Sequence, residues 1–257
     1  MKLMTFNLRC NDDPNGHSIA ERAFRIFDII KDYEPDICGF QEVVPQWMEE
    51  LKVLDDRFDH YESYTEGNGR GEIIPIYWRK DRYELVDQGY FWLSKTPEVP
   101  SVGGWGGGFG LPRSCTYVAL KEIASGKIVH YYNTHFDGST DGNRESAQVI
   151  IRRARALGLP RETNVFCTAD FNFHLNSTGW HSMRSFFKDV REEIAPENFQ
   201  GTLNIYQPVG QDKGRLIDFV FYSGDKVVPK SYEVITRLYD GLFPSDHYGI
   251  QCEFDLL

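Results

Sequence analysis

The sequence predicts an α/β fold, on three observations. Short apolar strands alternate with amphipathic helices through the first and middle thirds, and the stretch from Glu72 to Leu120 changes to hairpins. Polar residues also recur where an apolar strand ends, which is where α/β proteins gather their ligands. At 257 residues the chain can bury a substantial core, and no compositional break divides it, so residues 1–257 read as a single domain.

Each element has a local reason. Leu3 to Leu8 alternates with period two and predicts a strand. Ala23, Ile26, Phe27 and Ile30 fall at i, i+3, i+4 and i+7, so a helix follows. Glu34-Pro35 stops it, because the residue before a proline is kept out of helical backbone. Asp36 to Phe40 returns as a buried strand ending at Gln41-Glu42, and Trp47, Met48 and Leu51 mark a shorter helix. Ile73 to Trp78 and Tyr83 to Trp92 are strands bounded by charged or glycine turns. Gly103 to Gly110 has no trailing Gly-Lys-Ser/Thr and no strand-to-helix flanks, which excludes a nucleotide P-loop. It reads as a flexible surface loop whose Trp105 and Phe109 could close over a substrate.

Ile128 to Asn133 is a strand leading into Thr134-His135-Phe136-Asp137, and Ala147, Ile150, Ile151, Ala154 and Leu157 outline the next helix. Val165, Phe166 and Cys167 form a short buried strand that runs into Asp170-Phe171-Asn172. Leu216 to Tyr222 is an apolar strand interrupted by Asp218, and Tyr248 to Phe254 is the final one, after Pro244-Ser245-Asp246-His247.

A formal net charge of −10 lowers the expectation of tight non-specific binding to nucleic acid, which rests on phosphate-backbone contacts. The densest basic run, Arg152-Arg153-x-Arg155, lies on an amphipathic helix and reads as a solvated face. Met1 runs almost directly into a strand, with no basic and apolar leader and no apolar run of membrane-spanning length; a cytoplasmic protein without a transmembrane segment is expected. The five cysteines form no C-x-x-C pair and are odd in number, so buried free thiols are favoured over a zinc site or a disulfide framework. Nothing in the sequence sets an oligomeric state.

The strand-end residues are Asn7, Glu42, Glu72, His135, Asp170 with Asn172, Asp218, and Asp246 with His247. Taken singly, each has an ordinary structural explanation as a turn, a cap or a satisfied histidine. Asp218 is harder to dismiss, since a lone carboxylate among Leu216, Ile217, Phe219 and Val220 is costly to bury without a partner, and a histidine is the natural one. Together the residues suit metal-assisted phosphoester cleavage. Mg²⁺ needs a few hard oxygen ligands, a water must be aimed at phosphorus, and donors must meet the charge developing on the phosphoryl oxygens. No G-x-S-x-G elbow for a serine hydrolase occurs, and none of the seven histidines has H-E-x-x-H spacing.

With these residues placed, the chain resembles the endonuclease/exonuclease/phosphatase superfamily over essentially its whole length. Thr5-Phe6-Asn7-Leu8-Arg9 matches an opening T-x-N motif, Gln41-Glu42 a Q-E motif and Asn133-Thr134-His135 an N-T-H motif. Asp170-Phe171-Asn172 matches most of G-D-F-N, Ile217-Asp218-Phe219 matches I-D-Y/F, and Ser245-Asp246-His247 matches the closing S-D-H. The resemblance implies a four-layered α/β sandwich, two packed mixed β-sheets flanked by helices, as in deoxyribonuclease I. It implies Glu42 as the main Mg²⁺ ligand (Mn²⁺ a possible substitute), with Asn7 and Asp246 near the metal or its waters. Asp170 would activate the attacking water and Asn172 hold a phosphate oxygen. His247 would contact the phosphate, oriented by Asp218, and His135 would be a second phosphate-side imidazole supported by Glu72.

Two departures stand close to these motifs. Ala169 replaces the glycine of G-D-F-N, a change that would cost about 1 kcal/mol if the position needed positive φ. Gly138 follows Asp137 where many relatives carry a histidine. Arg113, in Leu111-Pro112-Arg113, reads equally as a bidentate phosphate grip or as a surface ion pair. The expected function is a Mg²⁺-dependent phosphoesterase acting on a phosphate-ester substrate, a small one slightly favoured by charge. The alternatives are a nuclease on DNA or RNA and, ranked lower because the site residues are intact, a non-catalytic binding protein.

Overall fold

The computed structural model describes residues 1–103, 110–158 and 163–257. Its first half runs β1 (Lys2–Asn7), α1 (Ile19–Tyr33), β2 (Ile37–Gln41), α2 (Pro45–Leu51), a 3-10 turn (Lys52–Asp56), β3 (Phe58–Tyr61), β4 (Ile76–Arg79), β5 (Tyr83–Trp92) and β6 (Ser114–Glu122). The second half runs β7 (Ile128–His135), α3 (Thr140–Ala156), β8 (Asn164–Asp170), α4 (Thr178–Arg184), β9 (Lys188–Asp189), α5 (Val190–Ile194), β10 (Asp218–Ser223), β11 (Val227–Ile235) and β12 (Gly249–Leu256).

Two six-stranded sheets form, in the orders β11-β12-β1-β2-β4-β3 and β5-β6-β7-β8-β10-β9. Each holds one parallel pair near its middle, β1 with β2 and β7 with β8, and is otherwise antiparallel. The parallel registers end together, Asn7 opposite Gln41 and His135 opposite Asp170, so both pairs deliver polar residues at their carboxyl ends.

The layering follows from the apolar faces. Ile19, Ala23, Ile26 and Ile29 of α1 and Trp47 of α2 pack on Met4, Phe6, Cys38 and Phe40 of the first sheet. Ala147, Ile150 and Ile151 of α3 and Trp180 and Met183 of α4 cover Cys167, Ala169, Phe219 and Phe221 of the second. Between the sheets, Leu3, Ile37, Ile76 and Trp78 meet Val118, Val129, Tyr131, Phe166 and Val220. Helices, sheet, sheet, helices: this is the four-layered sandwich of mixed sheets that the family resemblance implies. The entry to α1 is specified locally, because Ser18 accepts from Glu21 N while the Glu21 carboxylate returns to the Ser18 N–H, a capping box. Among the described residues no helix is long and apolar enough to cross a membrane.

A buried polar clasp joins the sheets behind the site. The Asn133 amide donates to the carbonyls of Phe40 (2.8 Å) and Pro75 (2.9 Å), and its oxygen accepts from Gln41 Nε2 at 2.7 Å. Gly39 is required beside it: a Cβ there would lie 2.7 Å from the Asn133 carboxamide and 2.8 Å from the Tyr131 hydroxyl. Gly39→Ala is therefore expected to destabilise the protein by about 1–3 kcal/mol through overpacking. The check is a fall in the urea midpoint at unchanged slope.

Several boundaries differ from expectation. β4 starts at Ile76, not Ile73, because Pro75 has no N–H to pair; Ile73 instead makes isolated bridges to Val43 and Tyr64. Asp218 opens β10 and does not interrupt a strand, so its carboxylate lies at a strand end like the others. β8 extends beyond Cys167 through Ala169 and Asp170. The strand β11 gave little periodic signal, being an edge strand with Pro229 at a bulge and alternating partial burial.

Candidate active site

The polar strand ends converge on one cavity of about 320 Å³. Glu42, His135, Asp170, Asn172, Asp246 and His247 line it, together with Glu72 and Arg113. Three turns aim side chains inward by left-handed backbone: Arg9 (φ 64°) after β1, Glu42 (φ 56°) after β2 and Asn172 (φ 49°) after β8. Outside glycine that conformation costs roughly 1–2 kcal/mol per residue, less for asparagine, so packing must hold these turns.

Asp170 is the centre. Its Oδ2 accepts from Asn7 Nδ2 at 3.0 Å and lies 3.5 Å from His135 Nε2 and 3.7 Å from His247 Nε2. Its Oδ1 accepts from the Asn172 backbone N–H at 2.9 Å. Each imidazole has a carboxylate behind it, His247 Nδ1 with Asp218 Oδ2 at 2.9 Å and His135 Nδ1 with Glu72 Oε2 at 3.1 Å. Asp218 reaches that position because β10 pairs antiparallel with β8, setting it opposite Asp170 in register. The Asn172 amide donates to Phe136 O at 3.1 Å, which orients it, and its nitrogen also lies 3.0 Å from His135 Nε2.

Glu42 lies next to Asp170 and His135. Asn7 Nδ2 donates to its Oε1 at 3.0 Å and the Cys10 backbone N–H to its Oε2 at 3.1 Å. Ser245 Oγ donates to Asn7 O at 2.7 Å, linking the strand carrying Asn7 to the loop carrying Asp246 and His247.

The electrostatics divide the carboxylates. Burial pushes Glu42 up, but His135, the Asn7 hydrogen bond and His247 outweigh it and bring the carboxyl down to about 2. Burial likewise opposes ionisation of Glu72, yet its hydrogen bond to His135 and the neighbouring cations lower it. Asp170 is raised, by burial first and by the Asp218 charge second, despite the imidazoles beside it. Asp246 is raised by burial and then by Glu42, against the opposing pull of His247. Burial depresses His247, but Asp218 and Asp170 override this and carry it to about 10, an imidazolium at neutral pH.

Four carboxylates, Glu42, Glu72, Asp170 and Asp246, line the cavity beside Arg9, Arg113 and the two imidazoles. Clustered carboxylate oxygens suit a hard divalent cation, and Glu42 is among the groups that could hold one. Glu42, His135 and Asp170 bring ligand atoms within 4.8 Å of one another, as do Asp170, Asp218 and His247. The second set is committed internally by the Asp218–His247 hydrogen bond.

Most sequence-predicted residues meet here, with differences of placement. Asn7 and Asp218 do not line the cavity; both are buried behind it and act on residues that do. Arg113 is not on the surface: it is 5% exposed, and its Nη1 lies 3.0 Å from Glu72 Oε2 and 2.8 Å from His135 Nδ1. Ala169 lies in extended backbone within β8, fully buried against the α3–α4 core, so the position does not need positive φ and the methyl group fits. Gly138 is exposed and caps Asp137 Oδ1 with its N–H, outside the cavity wall. Trp105 lies outside the described residues, as does Phe109. Sequence reasoning gave no role to Arg9, the Cys10 N–H, Leu203 or Ile217, which also line the cavity. Arg9 had a signal, two residues beyond Asn7; Leu203 had none.

Comparison with known proteins bears on the family and the fold. The model of the Endonuclease/Exonuclease/phosphatase family matches residues 4–247. Tyrosyl-DNA phosphodiesterase 2 of Xenopus laevis is 25% identical over 267 residues, covering 99% of this chain and 66% of that protein. The chain thus spans about two thirds of that relative's length. Among solved structures, a mannosyl-6-phosphatase of Bacteroides thetaiotaomicron superposes with a TM-score of 0.88 at 27% identity, covering 100% of both chains. An endonuclease/exonuclease/phosphatase protein of Bacteroides vulgatus gives a TM-score of 0.88 at 29% identity, over 100% of this chain and 98% of that one.

Proposed function

Because the chain belongs to the endonuclease/exonuclease/phosphatase family, we propose that it is a divalent-metal-dependent phosphoesterase in which Asp170 directs water at the phosphorus of a small phosphate ester. The observation that carries this reading is the position of Asp170 between two imidazoles, each backed by its own carboxylate, next to Glu42.

Each residue has a physical task. Glu42 and Asp246 would hold Mg²⁺ or Mn²⁺, which when bound neutralises charge on the phosphoryl oxygens. Asn7 contributes by orienting Glu42 and Asp170, since its amide nitrogen donates to both. Asp170, less acidic than an ordinary carboxylate, accepts the proton of the attacking water as the new P–O bond forms. His247, kept protonated by Asp218, donates to a phosphoryl oxygen. The Asn172 amide, oriented by its hydrogen bond to Phe136 O, offers its other N–H to the next oxygen. His135, held by Glu72, meets charge on the leaving-group side. Arg113 belongs to this support through Glu72 and His135.

The net charge of −10 and the full-length similarity to a mannosyl-6-phosphatase support a small ester. A second reading, a phosphodiester at a nucleic-acid end, is favoured by the similarity to tyrosyl-DNA phosphodiesterase 2. The test is one panel with Mg²⁺ or Mn²⁺: hexose phosphates, nucleotides, a chromogenic diester, 5′-tyrosyl oligonucleotide and supercoiled plasmid. Small monoesters are expected to turn over fastest. Faster release of tyrosine or nicking of plasmid at physiological salt selects the second reading, and no hydrolysis anywhere defeats both.

A further inference from the structure

Arg9 lines the cavity, yet the tasks above leave it unused. Its Nε lies 3.0 Å from Asp13 Oδ2 and 3.6 Å from Asp246 Oδ2, while its side chain is 31% exposed. Among the described residues neither Nη group has a hydrogen-bond partner. One edge of the guanidinium is therefore anchored, and its remaining donors are available beside the carboxylates of the proposed metal site.

The anchor is itself built. Asp13 Oδ2 also accepts from Tyr206 Oη at 3.0 Å, and the Tyr206 ring stacks on His17 with centroids 3.9 Å apart. Tyr206 gets there through two successive left-handed residues, Ile205 (φ 50°) and Tyr206 (φ 54°). Such backbone is an outlier for a β-branched residue. The same turn is tied to the site, because the N–H groups of Asn204 and Ile205 both donate to Asp246 O, at 2.7 and 2.9 Å. On the other side, buried Arg22 clamps the loop carrying Arg9 and Asp13 by donating to the carbonyls of Leu8, Arg9 and Asn11. Strained backbone and a buried arginine thus converge on fixing one guanidinium at the cavity wall.

We propose that Arg9 is a substrate-binding residue whose guanidinium grips phosphoryl oxygens from the Glu42–Asp246 side of the cavity, with Asp13 and Tyr206 as its positioning residues. A guanidinium presents paired donors matched to phosphate oxygens, and a fixed one loses little entropy on binding. This inference rests on the phosphoesterase reading and adds a contact beyond those of Asn172 and His135.

The test uses the full chain and whichever panel substrate the wild type hydrolyses. Arg9→Ala is expected to lower kcat/KM about 10–100-fold, the larger part in KM, the loss of a charge-assisted hydrogen bond or two. Arg9→Lys keeps the charge without the fork and should fall between. Asp13→Asn and Tyr206→Phe should each raise KM by about 3–10-fold, less than Arg9→Ala because they act only through its position. A second readout needs no turnover: inorganic phosphate should raise the Tm of the wild type, and Arg9→Ala should lose most of that rise. Unchanged KM together with an unchanged phosphate shift in Arg9→Ala overturns the proposal, as does a loss confined to kcat. A wild type inactive on every ester defeats the phosphoesterase reading instead, and the phosphate arm still decides on Arg9.

Discussion

Asp170→Asn is expected to leave a folded protein whose kcat falls about 10²–10⁴-fold, the range lost when a positioned general base is removed. Asparagine keeps the shape and its oxygen can still accept from the Asn172 N–H, but its NH₂ then meets the Asn7 amide that Asp170 Oδ2 accepts from, so a thermal melt must accompany the assay. Stability is subject to two opposing effects. The carboxyl is raised by burial and by Asp218, which means that its ionised form weighs against the folded state. Neutralising it relieves that cost, which offsets the loss of the Asn7 hydrogen bond, so Tm should move little. Turnover assays beside a thermal melt check both halves; near-wild-type turnover would remove Asp170 from the role of base, and a large drop in Tm would make the activity loss uninterpretable as chemistry.

Glu42→Gln is the second large effect. The wild-type carboxylate is ionised at every working pH, because its environment brings it down to about 2. Glutamine retains size and one acceptor for Asn7 or the Cys10 N–H but removes the charge. Two results are expected together: loss of most activity, and loss of the Tm rise produced by Mn²⁺ or Mg²⁺. That rise in the wild type follows RT ln(1 + [M]/Kd), about 2.7 kcal/mol at a hundred times Kd. If the variant is inactive yet still stabilised by metal, the cation is held by Asp246 and its neighbours without Glu42.

The sequence carried a large share of both fold and site. Period-two alternation from Leu3 to Leu8, the helical spacing of Ala23 to Ile30 and the Glu34-Pro35 stop each rest on neighbours in the chain, and each element formed. The polar residues Asn7, Glu42, His135 and Asp170 were legible for the same reason, each standing where an apolar run stops, whereas Asp218 drew notice as a carboxylate inside one. Ala169 shows the limit. Whether its methyl group would be costly depended on a backbone angle, and only the extension of β8 through Asp170 settled that it is not.

Arg113 shows the limit more sharply. Local sequence leaves it balanced between a phosphate grip and a surface ion pair, but the structure buries it against Glu72 and His135. Tyr206 gave no functional signal at all, since it meets Asp13 across 193 positions of chain. Element types and the polar strand ends are properties of short windows, so the amino-acid sequence determined them by itself. Which carboxylate backs which imidazole, and which tyrosine steadies Arg9, depend on strand register and on two sheets packing face to face. Those are long-range pairings, and only the tertiary structure decided them.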